Sequence, residues 1–156
     1  MSTDWNAALW QHDLSPWLNA EPSVRNVRAD TPFVLVVDEN IAQLLALVYL
    51  LNHHGLLACG ARSVSEALVM LRRHDGSFRA LVASTSVVRR GDGELVRACR
   101  SEFHNLPVIA VAESRGIEFA HKTDCFAYLE RPFRLEQLLD LVREALRQAA
   151  TERSIA

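Results

Sequence analysis

Two acids close an apolar run. Phe33-Val34-Leu35-Val36-Val37 leads without a break into Asp38-Glu39. Adjacent carboxylates repel each other, and at the rim of a site they favour a divalent cation, Mg²⁺ or Ca²⁺, that offsets both charges. The same pair would also suit the opening turn of a helix, where the positive end of the dipole favours acids. Strand and acids alone leave both readings open. Arg89 and Arg90 form a second candidate group. Two cations in one loop could receive a phosphate or an anionic partner, and they equally suit a solvated surface. Other residues offer less. The neighbours His53 and His54 would point to different sides of a helix and make a poor chelate. Cys59, Cys99 and Cys125 are scattered among apolar residues and lack metal-ligand spacing, as expected of reduced thiols buried as small hydrophobes. Asp92 and Glu94 read as acids at a helix N-terminus.

The elements that must position these groups follow from the apolar pattern. An unbroken, mostly β-branched run suits a strand buried on both faces of a parallel sheet. Such a strand ends at the carboxyl edge, where open α/β folds place their sites. A helix over about 40–54 follows, closed by Gly55, then a strand over Leu56–Ala61. Ser63-Val64-Ser65-Glu66 has the form of a capping box and opens a helix to about Arg73. Ala80–Ser84 reads as a strand, Thr85–Gly91 as a loop, Asp92–Glu102 as a helix and Pro107–Val111 as a strand. A short helix is expected over 115–122 and a strand over Cys125–Leu129. The last helix, Phe133 to about Ala150, gathers Leu135, Leu138, Leu139, Val142, Leu146 and Ala149 on one face. Five βα units imply right-handed crossovers and a three-layer sandwich.

The chain has 156 residues and a net charge of −2, enough for one domain with a real core and too balanced to draw nucleic acid or an acidic membrane. It has no apolar run of membrane-spanning length and no signal-peptide pattern, so the expected location is the cytoplasm. Residues 1–31 stand apart as a partly helical arm holding all three tryptophans, Trp5, Trp10 and Trp17. Trp5 and Leu9 fall on one helical stripe, Ser15-Pro16 suits a second helix start, and Asp30-Thr31-Pro32 marks a boundary. The expected layout is this arm, a domain over 32–150 and a tail over 151–156. Within Ile41–His54, a core face of Ile41, Leu44, Leu45 and Val48 leaves Ala46, Leu47 and Leu50 opposite, with Tyr49 on the flank. An apolar outer face of this kind marks a contact surface, covered by the arm, by a second protomer or by a protein partner. Trp5, Leu9, Trp10, Trp17, Leu47, Tyr49 and Leu50 are the interface candidates.

Four motifs carry a resemblance: Val34-Leu35-Val36-Val37-Asp38-Glu39, Gly91-Asp92-Gly93-Glu94-Leu95, Leu106-Pro107-Val108-Ile109 and Tyr128-Leu129-Glu130-Arg131-Pro132-Phe133. Together, over roughly residues 32–150, they resemble a receiver domain of two-component response regulators. The resemblance implies a flavodoxin-like doubly wound sheet of five parallel strands, order 2-1-3-4-5. In that family an aspartate ending the third strand accepts a phosphoryl group from a histidine kinase. An acidic pair and that aspartate hold Mg²⁺. A hydroxyl residue ending the fourth strand and a lysine ending the fifth read the phosphoryl group, and the fourth helix, fifth strand and fifth helix shift in response. Here the acidic pair is Asp38 and Glu39. The acceptor position falls on Thr85, or with one residue of slippage on Ser84 or Ser86. The hydroxyl position falls on Ala112. The lysine position falls on Arg131, followed by Pro132, which in the family takes a cis bond. The segment between Ala112 and Arg131 is shorter than usual, so the fourth helix is expected to be cut short.

Acyl-phosphate formation needs an ionised carboxylate and a cation beside it. A threonine with no base nearby supplies neither the nucleophile nor the third metal ligand. Arg131 keeps a charge but prefers planar, bidentate partners. It is therefore expected to turn toward Asp38 or Glu39 and fill the cation's place with an internal ion pair. The sequence thus reads as a degenerate receiver, a pseudo-receiver. It is expected to be a non-enzymatic, phosphorylation-independent module that binds a protein partner in signalling or transcription, or itself as a homodimer, with no cofactor and no direct contact with nucleic acid or membrane. Two alternatives remain: a receiver using a non-standard acceptor with Mg²⁺ held by Asp38 and Glu39, and a sensor of small anionic ligands reusing the pocket, with Arg89 and Arg90 as anion-binding candidates.

Overall fold

β1 (Phe33–Val37) lies between β2 (Leu57–Ala61) and β3 (Phe78–Ser84), and β4 (Val108–Ala112) and β5 (Ala127–Glu130) complete a five-stranded sheet of order 2-1-3-4-5. Every pairing is parallel. The computed structural model describes residues 33–74, 77–112 and 125–155, with side chains as far as Ala149. The arm with Trp5, Leu9, Trp10 and Trp17, and the short helix expected at 115–122, lie outside the described residues.

The sheet sorts the side chains of β1 into two cores, because successive residues of a strand point to opposite faces. Val34 and Val36 pack with Leu44, Val48 and Leu51 of α1 (Ile41–His53) and with Leu138, Leu139 and Val142 of α5 (Leu135–Ile155). Phe33, Leu35 and Val37 pack with Ala67, Leu68 and Leu71 of α2 (Val64–Arg73) and with Leu95, Val96 and Cys99 of α4 (Glu94–Ser101). All five side chains of β1 are buried, which is why this strand reads as a continuous apolar run. Cys59 and Cys99 are buried free thiols, and Cys125 is half-buried. Burial pushes both the Cys59 and the Cys99 thiol up to about 12, Cys125 adding to the effect at Cys99.

Local signals account for most of the helix ends. Asn40 caps α1 by accepting a hydrogen bond from the Gln43 N–H at 3.2 Å, and Gly55 follows the helix at φ 82°. Ser63 caps α2 by accepting from the Glu66 N–H at 3.1 Å. Asn52 ties the end of α1 to β2: its side chain donates to the carbonyls of Val48 and Ala58 at 2.8 Å each and accepts from the Ala58 N–H at 3.2 Å. β2 approaches α1 closely at Gly60, where a Cβ would come within 2.9 Å of a Leu44 methyl group.

Four expectations need correction. Leu47 is only 6% exposed and belongs to the core, whereas Ile41 and Leu45 are half-buried. Nearly every position of α1 is apolar, so periodicity alone carries no phase, and the sheet selects Leu44, Leu47, Val48 and Leu51. Thr85–Gly91 is not a loop throughout. α3 (Thr85–Arg89) forms there, capped by Ser84, and runs into a single 3₁₀ turn over Arg90–Asp92. Asp92 does not begin a helix either, because Gly91, Asp92 and Gly93 all take positive φ (57°, 54° and 81°), a conformation that delays α4 until Glu94. The last helix continues to Ile155, past its expected end near Ala150 and into the expected tail.

Candidate functional site

The carboxyl edge of β1, β3, β4 and β5 brings together Asp38, Glu39, Ser84, Thr85, Ala112 and Arg131. Asp38 is only 3% exposed. Its Oδ1 accepts the Asn40 N–H at 2.9 Å, and its own N–H donates to the Ala61 carbonyl at 3.2 Å. One carboxylate oxygen is thus committed to holding the turn from strand to helix. Oδ2 lies 3.8 Å from Arg131 Nη2, close enough for Coulomb attraction and too far for a hydrogen bond. Among the described residues Oδ2 has no hydrogen-bond partner. Burial pushes the Asp38 carboxyl above its ordinary 3.8, against the pull of the Asn40 N–H and the Arg131 charge. Glu39 adds to the rise and the nearby Ser84 hydroxyl opposes it.

Glu39 is bound differently. Arg90 grips it with a two-toothed contact, Nε to Oε1 at 3.2 Å and Nη2 to Oε2 at 2.7 Å. This pair is largely open to water, with side chains 63% and 36% exposed for Arg90 and Glu39. The contact spans 51 positions of sequence, from the end of β1 to the turn after α3. Each acid of the pair therefore faces its own guanidinium: Asp38 faces Arg131 inside, and Glu39 faces Arg90 outside. Arg90, an anion-binding candidate from sequence, is engaged on Glu39, and Arg89 beside it is exposed.

The end of β3 offers hydroxyls in place of a carboxylate. Val37 pairs with Ala83, so the next residue, Ser84, comes level with Asp38. Ser84 and Ser86 share a hydrogen bond at 3.0 Å, and Ser84 Oγ accepts the Val87 N–H at 3.4 Å. Thr85 is buried as the first residue of α3. Of the three hydroxyl residues, the structure thus brings Ser84 to Asp38, and Thr85, where the resemblance puts the acceptor position, begins the helix behind it. Ala112 is buried at the end of β4, and its carbonyl accepts the Arg131 N–H at 2.8 Å. The Arg131–Pro132 peptide is cis, and the Arg131 guanidinium lies 5.9 Å from the centre of the Phe133 ring. A recess of about 180 Å³, lined in part by Arg100, Asn105, Val108 and Gln148, opens near the start of β4, at the other end of that strand from Ala112.

The pair from sequence and its arginine at the end of β5 thus meet in space. Sequence reasoning missed the grip of Arg90 on Glu39 and the role of Asn40 as cap. The first could have been found from the strand order, since β1 and β3 are neighbours and their carboxyl ends must adjoin. Residues that would hold Mg²⁺ in a receiver do not fit it here. Hydroxyls replace the third carboxylate, and a guanidinium faces the one oxygen of Asp38 not already used by the backbone.

A doubly wound five-stranded parallel sheet with an acidic pair at the end of its first strand defines a class, and the comparisons with known proteins narrow it to the fold of response regulator receiver domains. No family model and no curated protein matches the sequence. Solved structures do. A receiver domain protein from Clostridium thermocellum superposes with a TM-score of 0.70 at 19% identity, over 77% of this chain and 98% of that one. A response regulator receiver protein from Pseudomonas putida gives 0.64 at 27% identity, over 75% and 99%. NtrX from Brucella abortus gives 0.68 at 21% identity, and there the match spans 79% of this chain but only 28% of that one.

Proposed function

We propose that this chain is a pseudo-receiver: a non-enzymatic signalling module that keeps the receiver scaffold, has lost phosphotransfer, and acts by binding a protein partner. The observation that carries the reading is that both acids of the pair already face guanidinium groups while the end of β3 presents Ser84 and Thr85. A phosphoryl acceptor there would have to be a hydroxyl. Ser84 uses its oxygen to cap α3, and the one carboxyl beside it, Asp38, is already drawn to the Asn40 N–H and the Arg131 guanidinium, which leaves it a poor base for that hydroxyl. Signalling through this fold would then depend on what the partner binds and not on a charge added at β3. With no described helix long and apolar enough to cross a membrane, a cytoplasmic location and a protein partner in signalling or transcription fit this reading. The partner could include a second copy of the chain.

Intact-mass measurement after incubation with acetyl phosphate and Mg²⁺ tests it. The expected result is an unchanged mass. A stoichiometric phosphate adduct would reinstate the alternative of a working receiver with an unusual acceptor. Tightened thermal stability in the presence of inorganic phosphate or a nucleotide alone would favour the anion-sensor reading instead.

A further inference from the structure

The outward face of α1 is covered where the described residues give no reason for it to be. On a helix each residue turns about 100°, so Ala46 lies roughly 200° from Leu44, away from the sheet. An alanine in that direction is ordinarily wet. Ala46 is nevertheless only 3% exposed, and it falls outside both main cores, with Leu45 as its apolar neighbour. Around it the surface is apolar and aromatic: Tyr49 is 38% exposed, and its ring stacks on His53 with centroids 5.8 Å apart. Leu50 on the other side is half-buried.

We infer that the occupant of this face is the chain's own N-terminal arm, seated through its tryptophans on Ala46 between Tyr49 and Leu50. Three facts select it. Phe33 pairs with Leu57, two residues after Gly55, so the chain enters β1 beside the end of α1. The stretch from Trp17 to Phe33 reaches up to ~50 Å when extended, and α1, at 13 residues, is about 20 Å long, so the arm spans the face easily. All three tryptophans of the chain lie between residues 5 and 17. Flat aromatic side chains suit a small-residue floor with an aromatic wall, and burying them there removes their large apolar area from water. A second protomer could offer the same rings, but an arm already tethered at the rim has a much higher effective concentration. This inference does not depend on the chemistry of the pocket, so the two readings fail separately.

Because the tryptophans lie only in the arm, tryptophan emission excited selectively over Tyr49 and Tyr128 reports on it alone. The expected result for the native protein is blue-shifted emission, weak quenching by acrylamide, and no change on dilution. Ala46→Arg puts a long charged side chain on the floor without touching the core. It should shift emission to the red and raise the acrylamide quenching constant severalfold while the far-ultraviolet circular dichroism stays the same. Single Trp5→Phe, Trp10→Phe and Trp17→Phe variants leave α1 intact and give the same reading should Ala46→Arg fail to fold: at least one must lose most of the blue-shifted component. Native tryptophans as open to acrylamide as a free indole would overturn the proposal, as would an Ala46→Arg protein with unchanged emission. Red-shifting on dilution, with a fall in mass by light scattering, would assign the face to a second copy and overturn it as well.

Discussion

Asp38 and Glu39 are adjacent in sequence and opposite in energetic character. Asp38 is buried, its carboxyl is held above the ordinary 3.8, and its partner stands at 3.8 Å. A carboxyl whose folded-state pKa is raised contributes stability that is fully present below the unfolded value and is lost as pH rises through the folded one. Asp38→Asn keeps the acceptor for the Asn40 N–H and removes the titration. The thermal midpoint of this variant relative to the native protein should therefore rise as pH climbs through the mildly acid range above 3.8, read by melting curves across pH. Arg131→Ala deprives the buried carboxylate of its counter-charge and should cost roughly 1–3 kcal/mol at neutral pH, measured by urea denaturation. Glu39→Gln breaks a contact of better geometry but open to water, and should cost clearly less than Arg131→Ala, an effect that fades further in high salt. Equal costs for Arg131→Ala and Glu39→Gln would contradict this division.

Among the elements, α1 holds the clearest test of packing. Gly60 of β2 lets Leu44 and Val48 approach the sheet, and a Cβ there would meet Val48 at 3.2 Å and Leu44 closer still. Gly60→Ala should therefore destabilise by about 1–3 kcal/mol, although alanine is the better residue for ordered backbone elsewhere. The elements were largely legible in the sequence for physical reasons that differ from one to the next. β1 announced itself because a strand buried on both faces has no polar alternation. α2 did so through Ser63 and Glu66 at its start. The strand order and the cis proline came only through the resemblance, since no local pattern encodes which strands are neighbours. The inward face of α1 is not legible in the sequence because an almost wholly apolar helix gives no phase, and Leu47, expected on the outer face, packs in the core for that reason. The site was legible in half. Asp38, Glu39 and Arg131 could be named, whereas Arg90 on Glu39 needs the three-dimensional meeting of two strand ends. Asn52, which clasps both α1 and β2, carried no sequence signal beyond being a polar residue near a helix end.

Over the whole molecule, stability is graded from the centre of the sheet outward. β1 is paired on both sides and buried along its whole length, whereas β5 is a four-residue edge strand with a single buried position, Leu129. Hydrogen exchange of the native protein should find the amides of β1 and β3 opening only with global unfolding and those of β5 opening sooner. Uniform protection across the sheet would argue against that gradient. The same sheet has helices on both faces, which leaves the two edges, β2 and β5, as the places where another backbone could be added.

The thiols of Cys59 and Cys99 turn this arrangement into a clock. Sealed in the interior and pushed up to about 12, they present almost no reactive thiolate at neutral pH. An alkylating reagent reaches them only in molecules that have opened, so at reagent concentrations where labelling outpaces reclosing, the rate at which these two residues acquire label reads the rate of opening of the domain, with no probe engineered in beforehand.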